Sequence, residues 1–152
     1  MAATEEPPRR HLVCGGESLG EHERCLSDLL ALPAPQYVYY TASPDPATGQ
    51  PWCPDCRRSL PAARELVAAS GGSLAEVNVG PRRAWREPDH PLRTLPWLRL
   101  SGVPTFVRWG RDAAGGGAIL ARVDRTLERA GTEAEARQVL GSFLAETAGL
   151  GR

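Results

Sequence analysis

Trp52-Cys53-Pro54-Asp55-Cys56 constrains this chain more than any other stretch. Two thiols three positions apart meet only where the backbone curls between them, and one helical turn does that. The flanking residues supply the context. Tyr37-Val38-Tyr39-Tyr40-Thr41 is compact and β-prone, and residues 57–70 are helix-prone. A cysteine at the tip of a helix, with a partner one turn inside, is the layout for reversible dithiol–disulfide chemistry. A strand running into such a helix points to an α/β fold.

Composition narrows the classes of function. A chain of 152 residues can bury one sizeable core. Its net charge is zero, so it carries no electrostatic footprint for nucleic acid. All 18 basic residues are Arg, which excludes a lysine nucleophile or Schiff base. No apolar run approaches the ~18–20 residues of a membrane span. Residues 1–11 lack the apolar core of a signal peptide, and Glu5 and Glu6 argue against a transit peptide. The expected compartment is the cytoplasm and the expected state a monomer. In that compartment a paired-cysteine motif reads as redox or metal chemistry, not as a structural staple.

Residues 1–10 hold almost nothing to bury and read as a mobile tail before one domain over 11–152. A short first strand is expected at 11–14. A helix follows over 17–32, with Leu19, Leu26, Leu29 and Leu30 on one side and a capping box at Ser18 and Glu21. Pro33 and Pro35 end it. After the strand at 37–41 comes a loop of turn formers over 43–51. The motif helix runs from Cys53 to about Ser70 and ends at Gly71-Gly72. Strands are expected at 74–79, 103–109 and 118–123, the last two as a hairpin around Gly115-Gly116-Gly117. A helix is expected over 92–100, in a proline-rich segment. Thr132 caps a last helix that ends near Thr147.

The thiolate is the attacking species in disulfide exchange. Cys53 at the helix N-terminus faces unpaired N–H groups and the macrodipole, which favour negative charge. Pro54 fits the first helical position. Cys56, one turn in, is the less exposed, resolving thiol. Asp55 beside the thiols opposes thiolate formation, and Arg57 and Arg58 offset it. Pro61 removes a hydrogen bond inside the helix. Val103-Pro104-Thr105 forms a second half of the site if the bond before Pro104 is cis, with the Val103 backbone open to a disulfide-bearing substrate beside Cys53. Only about 5–6% of X–Pro bonds are cis on statistics alone.

These residues resemble the thioredoxin superfamily: a strand, Trp-Cys-x-x-Cys on a helix, Pro61 within it, then Val-Pro-Thr. They are more closely similar to the Clot family of small cytosolic thioredoxin-related proteins. That match rests on Tyr39-Tyr40-Thr41, the long loop, Trp52 to Cys56, then Val79-Gly80, Trp85, Pro88, Arg93 and Val103-Pro104-Thr105. The resemblance implies a thioredoxin fold, with a central mixed sheet flanked by helices on both faces. It implies Cys53 as nucleophile, Cys56 as resolver, a cis Pro104, and Trp52, Val103 and Thr105 beside the substrate, with Pro54 and Asp55 tuning the thiols. It implies no bound cofactor: electrons come from NADPH through thioredoxin reductase. Preferred substrates would be small disulfides such as cystine, with S-nitrosothiols a further class. One departure from ordinary thioredoxins is plain: the strand before the motif has no carboxylate.

Two other readings stand beside this one. Structural zinc needs two more ligands beyond Cys53 and Cys56. Cys14 and Cys25 are unpaired in sequence and read as buried small hydrophobes, and His22 as a surface residue. A thioredoxin-like adaptor with little turnover is the second. Arg82, Arg83, Arg86 and Arg93 make an Arg-rich loop around Trp85, able to meet carboxylates or simply to face water.

Overall fold

The structure, a computed structural model, describes residues 9–151. The expected tail therefore lies outside the described residues, except for Arg9 and Arg10. Five strands form one sheet in the order β1-β3-β2-β4-β5. They are β1 (His11–Gly15), β2 (Gln36–Thr41), β3 (Ser73–Asn78), β4 (Thr105–Arg111) and β5 (Gly117–Val123). β1 and β2 pair with β3 in parallel, whereas β4 runs antiparallel to both β2 and β5. The sheet is mixed, and this is a thioredoxin fold.

β2 is the central strand of the site, and every residue in it is buried. A strand covered on both faces reads as a continuous apolar run, as Tyr37 to Tyr40 do. Val38 and Tyr40 pack on one face with Cys25, Leu26 and Leu29 of α1 (Leu19–Leu30). Tyr37 and Tyr39 pack on the other with Leu60, Ala63 and Val67 of α2 (Pro54–Ala69). Leu140, Phe143 and Leu144 of α6 (Glu133–Thr147) complete that second layer. The alternation of Cβ directions along β2 thus feeds two cores at once.

Local rules set the helix ends. Ser18 accepts from the Glu21 N–H, and Thr132 from the Glu135 N–H, so both N-caps form, but the Glu21 carboxylate accepts from the Gly15 N–H instead of closing the expected capping box. Gly71, with φ of 76°, takes the left-handed turn after α2. Between β3 and β4 lie only two single turns, α3 (Arg82–Trp85) and α4 (Pro91–Thr94). The helix expected over 92–100 therefore stops after Thr94. Leu95 is extended, with ψ of 115°, because the proline that follows disfavours the helical conformation before it. β4 starts at Thr105 rather than 103, and a short α5 (Arg125–Glu128) that the periodicity did not reveal follows β5.

Cys14 and Cys25 are joined in a disulfide, with Cα atoms 6.5 Å apart. This corrects their reading as separate thiols. β1 and α1 are adjacent in chain and space, so the two sulfurs face one another across the strand–helix turn.

Candidate active site

α2 begins where β2 ends, and Tyr39 holds the junction. Its hydroxyl donates to the Cys56 carbonyl at 3.1 Å and meets the Ser59 hydroxyl at 2.5 Å. Both partners lie in the first turns of α2, so a strand residue buried at 0% exposure fixes the motif helix from beneath.

Cys53 is the N-cap of α2 and Pro54 its first residue. The Cys53 sulfur accepts from the Cys56 N–H at 3.3 Å, one of the orphan donors of the helix start. It lies 3.6 Å from the Val103 carbonyl, to which its thiol donates. The bond from Val103 to Pro104 is cis, as the family resemblance implied. The two halves of the site thus meet sulfur to backbone. Val103 is 8% exposed and Thr105 fully buried, its hydroxyl bonded to the Gly102 carbonyl at 2.8 Å. Thr105 holds the turn from within, and the backbone of Val103 is the part that faces the sulfur.

The two thiols differ in environment. Cys53 is 7% exposed and Cys56 0%. A hydrogen bond from the Cys56 thiol, with help from its backbone N–H and from Arg57, brings Cys53 down from 9.0 to about 7 against the opposing effects of burial and Glu128. Burial, followed by the neighbouring Cys53, pushes Cys56 far up. One sulfur ionises near neutrality while the other keeps its proton.

The opposing carboxylate is Glu128, not Asp55. Asp55 is paired with Arg58 one turn along. Glu128 stands at the end of α5, and its Oε1 is buried with no hydrogen-bond partner among the described residues. Burial, then Asp124, raises its carboxyl above the usual range. A Cβ on Gly102 would meet that oxygen at 2.5 Å, which places Glu128 against the segment leading to Pro104. No sequence signal marked Glu128, since α5 is one turn long.

Trp52 is half-buried. Its Nε1 donates to the Gly80 carbonyl at 2.9 Å, and the Arg82 guanidinium sits over its ring, 5.0 Å from the centroid. Gly80 has φ of 97°, a left-handed conformation that favours glycine. The loop over 43–51 is closed by a bridge between Pro44 and Pro51. Asp45 N–H bonds the Gln50 carbonyl at 2.7 Å, and Gly49 N–H the Asp45 carbonyl at 2.7 Å. It stands beside Trp52 as a folded wall. Of the Arg-rich loop, Arg93 is structural: it covers the Trp85 ring at 3.7 Å and bonds the Trp85 carbonyl.

His22 is buried, correcting its placement at the surface. Its ring nitrogen meets the Tyr40 hydroxyl at 2.8 Å, and burial holds its pKa near 4. Among the described residues no three His, Cys, Asp or Glu side chains are grouped to hold a metal ion. No described helix is long and apolar enough to cross a membrane.

A thioredoxin fold with a free dithiol at a helix tip, set against a cis-proline turn, defines the class. The sequence model described as the thioredoxin domain of thioredoxin domain-containing protein 17-like proteins matches residues 19–121, and the chain belongs to that family. It is 39% identical over 82 residues to the thioredoxin-like protein Clot of Arabidopsis thaliana, covering 53% of this chain and 61% of that one. It is 41% identical over 83 residues to the rice Clot protein (51% and 60% covered). It is 33% identical over 76 residues to thioredoxin domain-containing protein 17 of Epinephelus coioides (49% and 59%). The chain thus spans about six-tenths of the length of these curated relatives.

Proposed function

We propose that this chain is a thiol–disulfide oxidoreductase that reduces small disulfides. One observation carries the reading: the Cys53 sulfur caps the motif helix, accepting the Cys56 N–H at 3.3 Å and lying 3.6 Å from the Val103 carbonyl at the cis-proline turn, while Cys56 one turn in is fully buried. An adaptor has no need of two thiols so differentiated. Family membership supports a thioredoxin-like redox role.

The Cys53 thiolate attacks one sulfur of the substrate. A Cys53–substrate bond forms, the substrate S–S bond breaks, and the leaving thiolate takes a proton from solvent. Cys56 then loses its proton and attacks the Cys53 sulfur. The Cys53–Cys56 bond forms and the second product leaves as a thiol. The substrate gains two electrons and two protons, and the protein is left oxidised. NADPH, through thioredoxin reductase, returns the dithiol, and no bound cofactor is needed. Trp52 and the Val103 backbone flank the attacked sulfur, with Pro54 and Asp55 shaping the helix start. S-nitrosothiols are a second substrate class on the same nucleophile. We place the protein in the cytoplasm as a monomer.

The test is to mix reduced protein with cystine and follow released thiol and protein mass. Release of two thiols per chain with loss of the mass of two hydrogens from the protein is expected, then NADPH consumption when thioredoxin reductase is added. No thiol release would leave the adaptor reading. Thiol release without NADPH consumption would show that another reductant serves the site.

A further inference from the structure

A hollow of about 720 Å³ lies between α1, the segment after α4 and the β4–β5 hairpin. That is room enough for a small organic ligand. Leu26, Leu30, Leu95 and Ile119 make it apolar, and Trp97 and Trp109 give it aromatic faces. None of the residues placed at the dithiol lines it. We infer that this hollow is a second binding site, for a flat aromatic amine whose ring carries a hydrogen-bond acceptor. The ring stacks on Trp97, the acceptor meets the Nε1 of Trp109, and the ammonium group meets Glu23.

The acceptor is called for by an unmet donor. Trp109 is 4% exposed, and its Nε1 is buried with no hydrogen-bond partner among the described residues. A buried N–H ordinarily has a partner, because losing water without a replacement costs free energy. Gly117, which also lines the hollow, lies over the ring edge that bears this nitrogen. A Cβ there would stand 2.6 Å from Cζ2 and 3.2 Å from Cε2 of the indole. The missing Cβ leaves that edge open on the side of the hollow.

The ring and the charge follow from the neighbours. Trp97 is 48% exposed. The His22 ring backs it, tilted by only 11° with centroids 5.8 Å apart, and Trp109 leans against it at 42° and 5.5 Å. His22 is held in turn by the Tyr40 hydroxyl, so Trp97 is braced before any ligand arrives. A face already in place lowers the ordering cost of binding. Glu23 is exposed on α1 and is the one charged side chain among the described lining residues. It is in no ion pair among the described residues. His22, with its pKa near 4, is uncharged at neutral pH and does not repel a cation. The electron-rich indole faces attract one as well.

The experiment uses the whole chain with isotopically labelled nitrogen and follows the indole N–H signals of its four tryptophans by NMR. Spectra of Trp52→Phe, Trp97→Phe and Trp109→Phe assign the signals. Three probes are titrated in. Tyramine has the ring, the acceptor and the ammonium group. Phenethylamine lacks the acceptor. The para-hydroxyphenylpropionate ion carries a carboxylate in place of the ammonium group. Tyramine is expected to shift the Trp97 and Trp109 signals to saturation and to leave Trp52 and Trp85 unmoved. The Trp109 signal is expected to move downfield, the direction of a new hydrogen bond. Phenethylamine is expected to bind roughly fivefold to tenfold more weakly, without that downfield shift. The propionate is expected to bind roughly fivefold more weakly than tyramine, and Glu23→Gln to bring the two within about twofold. Trp97→Ala is expected to weaken tyramine roughly tenfold. Thermal melting of each variant checks that it is folded.

Unmoved Trp97 and Trp109 signals would overturn the site, as would equal shifts of all four tryptophans, which mark nonspecific contact. Equal affinities for tyramine and the propionate in the unaltered protein would overturn the choice of an amine. A Trp109 signal that moves alike with tyramine and phenethylamine would overturn its part as the donor.

Discussion

Cys53 and Cys56 carry the same side chain in opposite environments. Position decides the roles: the N-cap sulfur receives a helix N–H, and the other is fully buried. Cys53→Ser is expected to abolish disulfide reduction. Cys56→Ser should attack once and stay trapped as a mixed disulfide, visible as an added mass. Adducts on Cys53→Ser instead would reverse the assignment. The pH dependence follows from the same pair. With Cys53 near 7, its thiolate fraction rises roughly tenfold from pH 6 to pH 8 and then levels off. Alkylation by iodoacetamide should trace that curve. Glu128 opposes the thiolate, so Glu128→Gln is expected to move the midpoint to lower pH. A midpoint that stays put or rises would remove Glu128 from the site.

Two contacts between elements reach beyond the dithiol. Glu76 of β3, 3% exposed, meets Arg64 of α2 through two bonds of 2.9 Å and is joined by His11 of β1. Burial pushes its carboxyl up, but the bonds from His11 and Arg64 outweigh that and hold it below its ordinary 4.5. A depressed carboxylate adds stability that is complete above the unfolded value and is lost as pH falls through the folded one. Arg64→Ala removes one of two partners of a buried carboxylate. The cost should be about 1–2 kcal/mol, less than for a fully buried pair because Arg64 is half-exposed. Urea melts should show the full loss at pH 7 and a loss that shrinks as pH falls below 4.5. The Cys14–Cys25 bond is the second contact, closing a short loop between β1 and α1. Breaking it in Cys14→Ser should cost about 2–3 kcal/mol by chain entropy. An unchanged melting temperature would show that the bond adds nothing in solution.

At the scale of the whole molecule, the dithiol sits at one end of the sheet, where the 43–51 loop, the Gly80 turn and the cis-proline turn meet. On the reading proposed above, the internally bonded loop is what obstructs a broad protein surface and leaves room for a small disulfide. Shortening 44–50 to a tight turn is expected to raise insulin reduction with little effect on cystamine. Equal or lower insulin rates in a folded deletion would show that the loop does not set the size limit. The chain by itself determined whatever depends on neighbours within a turn or two: the β2–Cys53–α2 unit, the caps at Ser18 and Thr132, the Gly71 stop, and the Cys-x-x-Cys spacing. Backbone geometry and local hydrogen bonding are enough for these. Tertiary structure decided the rest. The order β1-β3-β2-β4-β5 brings Val103 to Cys53 across 50 positions, seats His22 under Tyr40, and lays Arg82 over Trp52. It also puts Cys14 against Cys25, and Glu128 within reach of the thiolate. Apolar periodicity says which face of an element turns inward, but not which other element will meet it there. That choice belongs to the packing of the whole sheet, because only there does each buried polar group find its partner.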